Sequence, residues 1–406
     1  MAQNATETVE MQLTFAHETT SIWRDPRALA LMMAASLTVM TAATISPALP
    51  GLERQFAGDE THLFLIRLLV PAPSLAVVLV APLCGAVADR WGRRRMLLAG
   101  LILFIIAGSA GLVLPTLPSI MASRLCLGIA LAMIMTAQSA LLGDYFPGKA
   151  LGAVSSGQVS ARNFGGFVFI MIAGLLATVG PRLPFAVYAL PALALPFFWR
   201  VIVDVPSSRP AAEISTTSPF SGSQRLVHLL AFGQMVVTML FFVMPTQLPF
   251  FLAAEGYTSP AVAGAALGTL MLAGGGAALS YPRIRDAIGQ TGIWASGFGL
   301  MASGFAALVT IKAGAAVFLG CAAIGAGYAL AIPGFVALSL GVTPASRRGK
   351  TGALLTASVF LGQFLSPLIS TPAIAAWGWR ASGVALAAVL GFAALISALM
   401  TPQPHR

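Results

Sequence analysis

Charge is what this chain has least of. Only 9% of its 406 residues are Asp, Glu, Lys or Arg, whereas soluble domains carry about 25%, so an ordinary water-soluble fold is excluded. Acids are scarcest, 13 in all, and each falls in a tail, a loop or at the end of an apolar run. The three cysteines, Cys84, Cys126 and Cys321, sit inside apolar runs without metal-ligand spacing. They read as packing residues, and neither a disulfide nor a metal site is expected. No histidine lies in the middle of an apolar run, and there is no His–Asp–Ser set and no Walker loop. An enzyme and an intrinsic ATP-driven pump are therefore set aside, and no cofactor is expected. The strict alternation of a membrane barrel is also missing.

What is present is apolar length. The chain is 57% hydrophobic, and runs of about 20 residues, enough to cross a bilayer as helix, recur along it. Twelve such spans are expected, near 27–50, 62–86, 96–115, 118–142, 150–178 and 182–203, then 225–252, 259–281, 292–311, 313–341, 349–374 and 378–400. The polar stretch DVPSSRPAAEISTTSPFSGSQ at 204–224 cannot build a core and reads as a linker. The expected organisation is a tail (1–26), a six-helix bundle (27–203), the linker, a second six-helix bundle (225–400) and a short tail (401–406). The fold class is thus an all-α membrane protein of twelve transmembrane helices in two six-helix pseudo-repeats. Residues 1–24 lack the basic start and short apolar core of a signal peptide.

The net charge of +10 does not point to nucleic acid, because the basic residues sit in short loops. Apart from Arg54, Arg67, Arg124, Arg162, Arg182, Lys312 and Arg380, every Lys and Arg falls on the side of the termini and linker. That bias puts both termini in the cytoplasm. The halves also read as weak copies: with Asp89 set against Asp286, Gly92 falls on Gly289 and Gly100 on Gly297. An internal repeat in a helical membrane protein points to a transporter with its site between the halves.

One loop is more specific. GAVADRWGRRRML, 85–97, joins spans two and three, with Gly85 and Gly92 as candidates for close helix approach and a tight turn. Its order resembles the G-x-x-x-D-R-x-G-R-[RK] loop of the major facilitator superfamily, at the same place in the chain. RLCLGIALA, 124–132, is similar to that family's R-x-x-x-G pattern in span four. LLGDYFPGKALGAVSSGQ and FLGQFLSPLISTP are similar to bacterial members grouped with sugar- and drug-efflux permeases. The resemblance implies the major facilitator fold and a gating role for Gly85, Asp89, Arg90, Gly92, Arg93 and Arg94. Asp89 and Arg93 would act as a latch, and Asp144 would partner an arginine.

The resemblance also has gaps. Many proton-coupled drug antiporters of the family carry G-P-x-x-G-G in span five, where this chain has FIMIAGLLA, 169–177. No acid lies within a span, so the buried carboxylate that often carries proton coupling is not visible.

By resemblance, spans one, four, seven and ten line the cavity, with five, eight and eleven contributing. Substrate or coupling candidates are Arg124, Thr41, Gln138, Gln234, Tyr328 and Gln363. A charge inside a span is a functional candidate by default. Arg67 and Arg162 read instead as anchors that snorkel toward the headgroups. The two prolines of MPTQLPF, 244–250, read as a broken outer end to span seven.

The expected function is secondary transport of a small organic molecule by alternating access, with efflux preferred and protons as the candidate coupling ion. The alternatives are an uncoupled facilitator or exchanger of a sugar or metabolite, and a transporter-like receptor or scaffold without flux. The expected partners are a small-molecule substrate and the lipid bilayer, with no nucleic acid. The expected setting is a monomer in the bacterial inner membrane.

Overall fold

The computed structural model describes residues 24–56, 60–146, 149–204, 224–310, 314–344 and 347–400. All regular structure among these residues is helical. Most of the two tails and of the linker lies outside them.

Among the described residues, ten helical units have the length and apolarity to cross a bilayer, counting one bent pair as a unit. Two of them are far too long for a single pass. Pro260–Thr310 has 51 residues and Arg348–Leu399 has 52, about 75 Å each at 1.5 Å per residue, against a hydrocarbon core of about 30 Å. Each is broken by one glycine with positive φ, Gly289 (φ 73°) and Gly378 (φ 75°). Read as two legs apiece, they bring the total to the expected twelve spans. The turn residue matters because a side chain is strained in that conformation, whereas glycine is not.

Span one is Pro26–Gln55, interrupted by a 3-10 turn at Ser46–Ala48. Span two is bent by 54° between His62–Leu68 and Ala72–Ala88, at a proline pair, Pro71 and Pro73. Spans three to six are Arg93–Leu112, Leu117–Tyr145, Ala150–Val179 and Leu183–Val201. Span seven is Gln224–Ala254, spans eight and nine are 260–288 and 290–310, and span ten is Gly314–Gly341. Spans eleven and twelve are 348–377 and 379–399. With an even number of passes in each half, the start of span one, the end of span six, the start of span seven and the end of span twelve share one face, the terminal face. The other face is the far face.

The repeat is visible in packing. Gly92 (φ 91°) and Gly289 (φ 73°) make the same turn in the two halves. Eight residues on, Gly100 lies against Ala130 and Ile134 of span four, and Gly297 lies against Gly327 and Ala331 of span ten. All four pairs of positions keep one offset, so the same small-residue contact brings span three to span four and span nine to span ten.

Two local expectations are corrected. Span seven is not broken at MPTQLPF; it is one helix through Pro245 and Pro249. Cys126 is exposed on the bundle surface rather than packed, while Cys84 and Cys321 are buried; all three are free thiols.

Candidate functional site

A cavity of about 480 Å³ lies between the two halves. Its wall includes Thr38 of span one, Met135 of four, Arg162 and Asn163 of five, Gln234 and Phe241 of seven, Met271 of eight, Tyr328 of ten and Gln363 of eleven. The described lining contains no Asp, Glu or His.

Most polar groups in the wall are held by neighbours. Tyr328 pairs its hydroxyl with Thr238 Oγ1 at 3.2 Å, and its ring stacks on Phe241 with centroids 3.9 Å apart. Gln363 accepts a 2.7 Å hydrogen bond from the Ser74 hydroxyl, across the two halves. Gln234 is buried with its amide oxygen unpartnered. Arg162 is half-buried, and its Nε is buried without a partner.

Three of the six sequence candidates, Gln234, Tyr328 and Gln363, therefore stand in the cavity wall; Thr41, Gln138 and Arg124 do not. Thr41 donates to the Leu37 carbonyl within its own helix. Gln138 is buried inside the first half with an unpartnered amide oxygen.

Arg124 is fully buried and neither reaches the cavity nor snorkels to a headgroup. Its Nη2 donates to the Gly108 carbonyl at 2.6 Å. Its guanidinium lies between the Phe185 and Tyr188 rings, 4.9 and 4.8 Å from their centroids. Gly108 and Gly111 leave room for those rings: a Cβ on Gly108 would clash with Tyr188, and one on Gly111 with Phe185. The Gly128 of the R-x-x-x-G pattern seats span four on span two, where a Cβ would clash with the Pro73 carbonyl oxygen. This signature is thus used for packing in the structure.

Arg162 is the converse case. Read from sequence as an anchor, it belongs to the cavity wall near the middle of the helix Lys149–Val179. The missed signal was its place along the span: from there a side chain has a long way to either headgroup layer.

The contacts described for the 85–97 loop lie within its own half. Arg93 forms an ion pair with Asp144, at the end of span four. The Arg94 amide donates to Asp204 Oδ1 at 2.8 Å, and its side chain donates to the Trp199 carbonyl and covers the Trp199 ring. Asp204, read from sequence as the start of the linker, is the missed member of this group. A Cβ on Gly92 would lie 3.0 Å from its carboxylate. Gly85 faces open space in this state, so the close approach expected of it is not made. Arg90 is exposed, and the side chain of Asp89 lies outside the described residues.

The far face is closed by contacts between the halves. Pro249 has no N–H to give the Pro245 carbonyl four residues back, and the Ser46 hydroxyl of span one donates to that carbonyl instead. The Arg67 guanidinium sits 4.8 Å from the Phe250 ring centroid. Gly174 and Gly264 let spans five and eight touch, since a Cβ on Gly174 would lie 2.9 Å from the Gly264 Cα.

Two helical bundles around a central cavity, closed at one face, have the build of a membrane transport protein. The chain belongs to the Major Facilitator Superfamily, whose model matches residues 31–323. It is 31% identical over 156 residues to the quinolone resistance protein NorA of Staphylococcus aureus. That match spans only 38% of the relative's length and 38% of this chain. Among solved structures, the chain is similar to a D-xylose–proton symporter (TM-score 0.75, 18% identity, 93% of this chain and 98% of that one). It is also similar to a mutant of the nucleoside transporter NupG (TM-score 0.74, 13% identity, 93% of this chain and 100% of that one). At these identities the likeness is one of fold.

Proposed function

We propose that the protein is a secondary transporter that exports a small organic molecule by alternating access, acting as a monomer in the bacterial inner membrane with both termini cytoplasmic. The observation that carries this reading is the cavity whose wall is drawn from both halves. In the far-closed state, substrate enters from the terminal face. The halves then rock, and the contacts at Ser46–Pro245, Arg67–Phe250 and Gly174–Gly264 give way as others form opposite. The loop with Asp89, Arg90, Gly92, Arg93 and Arg94 biases that exchange, a bistable element held by a few contacts. The name of the quinolone resistance relative supports export over import.

Uncoupled exchange is the second reading, favoured by the absence of a carboxylate or imidazole from the described cavity lining. The test is growth of an efflux-deficient bacterium expressing the protein, against anionic, neutral and cationic toxic compounds, followed by flux in proteoliposomes with and without a pH gradient. Resistance with gradient-driven flux supports coupled export. Flux indifferent to the gradient supports exchange, and no flux of any compound favours a receptor or scaffold.

A further inference from the structure

We infer that the central cavity binds small organic monoanions with a flat, apolar body, and that Arg162 holds the anionic group. This rests on the transporter reading and names its substrate class.

The chain's other inward arginines are compensated by groups in the protein. Arg124 has backbone carbonyls and two aromatic rings, Arg182 has the Leu114 carbonyl and the Phe56 ring, and Arg67 has the Phe250 ring. The Nε is unpartnered in Arg67, Arg124, Arg182 and Arg162 alike. What sets Arg162 apart is that it stands in the cavity wall with no hydrogen bond, ion pair or ring contact among the described residues and no acid in the described lining. A charge at the centre of a span is costly, and is tolerated where it faces a cavity or finds a partner. Here the partner must come from outside the protein.

Charge balance sets its valence. One guanidinium and no other side chain charged near neutral pH in the described lining neutralise one negative charge and leave a dianion half-compensated. The guanidinium's planar fork suits a carboxylate, which it can bind through two parallel hydrogen bonds.

The rest of the wall sets the body. The stacked Phe241–Tyr328 pair faces the same cavity and offers an aromatic surface to a flat ring system. A cation of the same shape would meet Arg162 without a counter-charge.

The test uses three probes of nearly one shape: 2-naphthoate, neutral 2-naphthamide and cationic 2-naphthylmethylammonium. Binding to the purified full-length protein is measured by equilibrium dialysis. Naphthoate should bind about 10- to 100-fold tighter than naphthamide, the contribution of a charge-assisted hydrogen bond, and the cation weakest. Arg162→Ala should weaken naphthoate about 10- to 100-fold and naphthamide much less, so that the two then bind alike. Arg162→Lys should keep part of the preference.

Equal binding of naphthoate and naphthamide, no binding of naphthoate, or equal weakening of both by Arg162→Ala would overturn the inference. Proteoliposome flux separates the two levels. Arg162-dependent binding of naphthoate without its flux would uphold the site and sink the transporter reading. Flux of naphthamide with naphthoate neither bound nor carried would do the reverse.

Discussion

Two arginines within the same bundle carry opposite expectations. Arg124 is fixed by carbonyls and two rings, so Arg124→Ala should lower thermal stability in detergent by roughly 2–4 kcal/mol, from one charged hydrogen bond and two cation–π contacts. Ligand affinity should stay the same. Arg162 has no hydrogen bond, ion pair or ring contact among the described residues and no acid in the described lining, so Arg162→Met should leave the melting temperature unchanged or raise it, because removing an uncompensated charge relieves its desolvation. A drop in stability equal to that of Arg124→Ala would show that Arg162 is structural. At the loop, Gly92→Ala should cost about 1–2 kcal/mol through its left-handed backbone. It should also press on the Asp204 carboxylate that receives the Arg94 amide. Unfolding measurements on this variant and on Gly85→Ala make the contrast, since a Cβ on Gly85 meets nothing within 4 Å.

Among the elements, span seven ties its own geometry to the far gate. Pro249 frees the Pro245 carbonyl, and Ser46 of the other half takes it. Restoring the helical donor with Pro249→Ala should make the Ser46 bond redundant. In a double-mutant cycle on far-face opening, Ser46→Ala should cost about 0.5–1.5 kcal/mol in the wild type and less with Pro249→Ala present. Equal costs in both backgrounds would remove this link.

The same element shows where sequence reading stops. Two prolines in seven residues read as a break, yet the helix persists because a neighbouring hydroxyl satisfies the freed carbonyl, and that partner lies 199 residues away. Local signals were legible where one residue type decides the geometry: Gly92 and Gly289 turn the chain in both halves, and the apolar runs gave the twelve spans. Which polar side chains face the cavity depends on how seven helices are rotated against one another. Tyr328 and Gln363 fell inside it, Arg124 and Gln138 fell outside, and Arg162 was passed over.

At the level of the whole molecule, the wall chemistry predicts a flat pH profile. With no Asp, Glu or His in the described lining, naphthoate affinity should be constant between about pH 6 and 8, the range in which imidazole titrates. A tenfold change would require a titrating group outside the described lining. Alternation itself depends on the far-face contact of Gly174 and Gly264, which are too close for a side chain between them. Gly174→Leu should penalise the far-closed state by about 1–3 kcal/mol, the usual cost of overpacking. That shifts the balance between the two states by roughly 5- to 150-fold.

The most direct measurement is labelling of Gln234→Cys in the cavity wall by a membrane-impermeant thiol reagent, added from either side, in a background with Cys84, Cys126 and Cys321 replaced by Ala. Before Gly174→Leu is introduced, labelling should be faster from the cytoplasmic side; with it, labelling from the outside should rise and cytoplasmic labelling should fall. Labelling from one side only, unmoved by Gly174→Leu in a protein that remains folded, would contradict alternating access through this cavity.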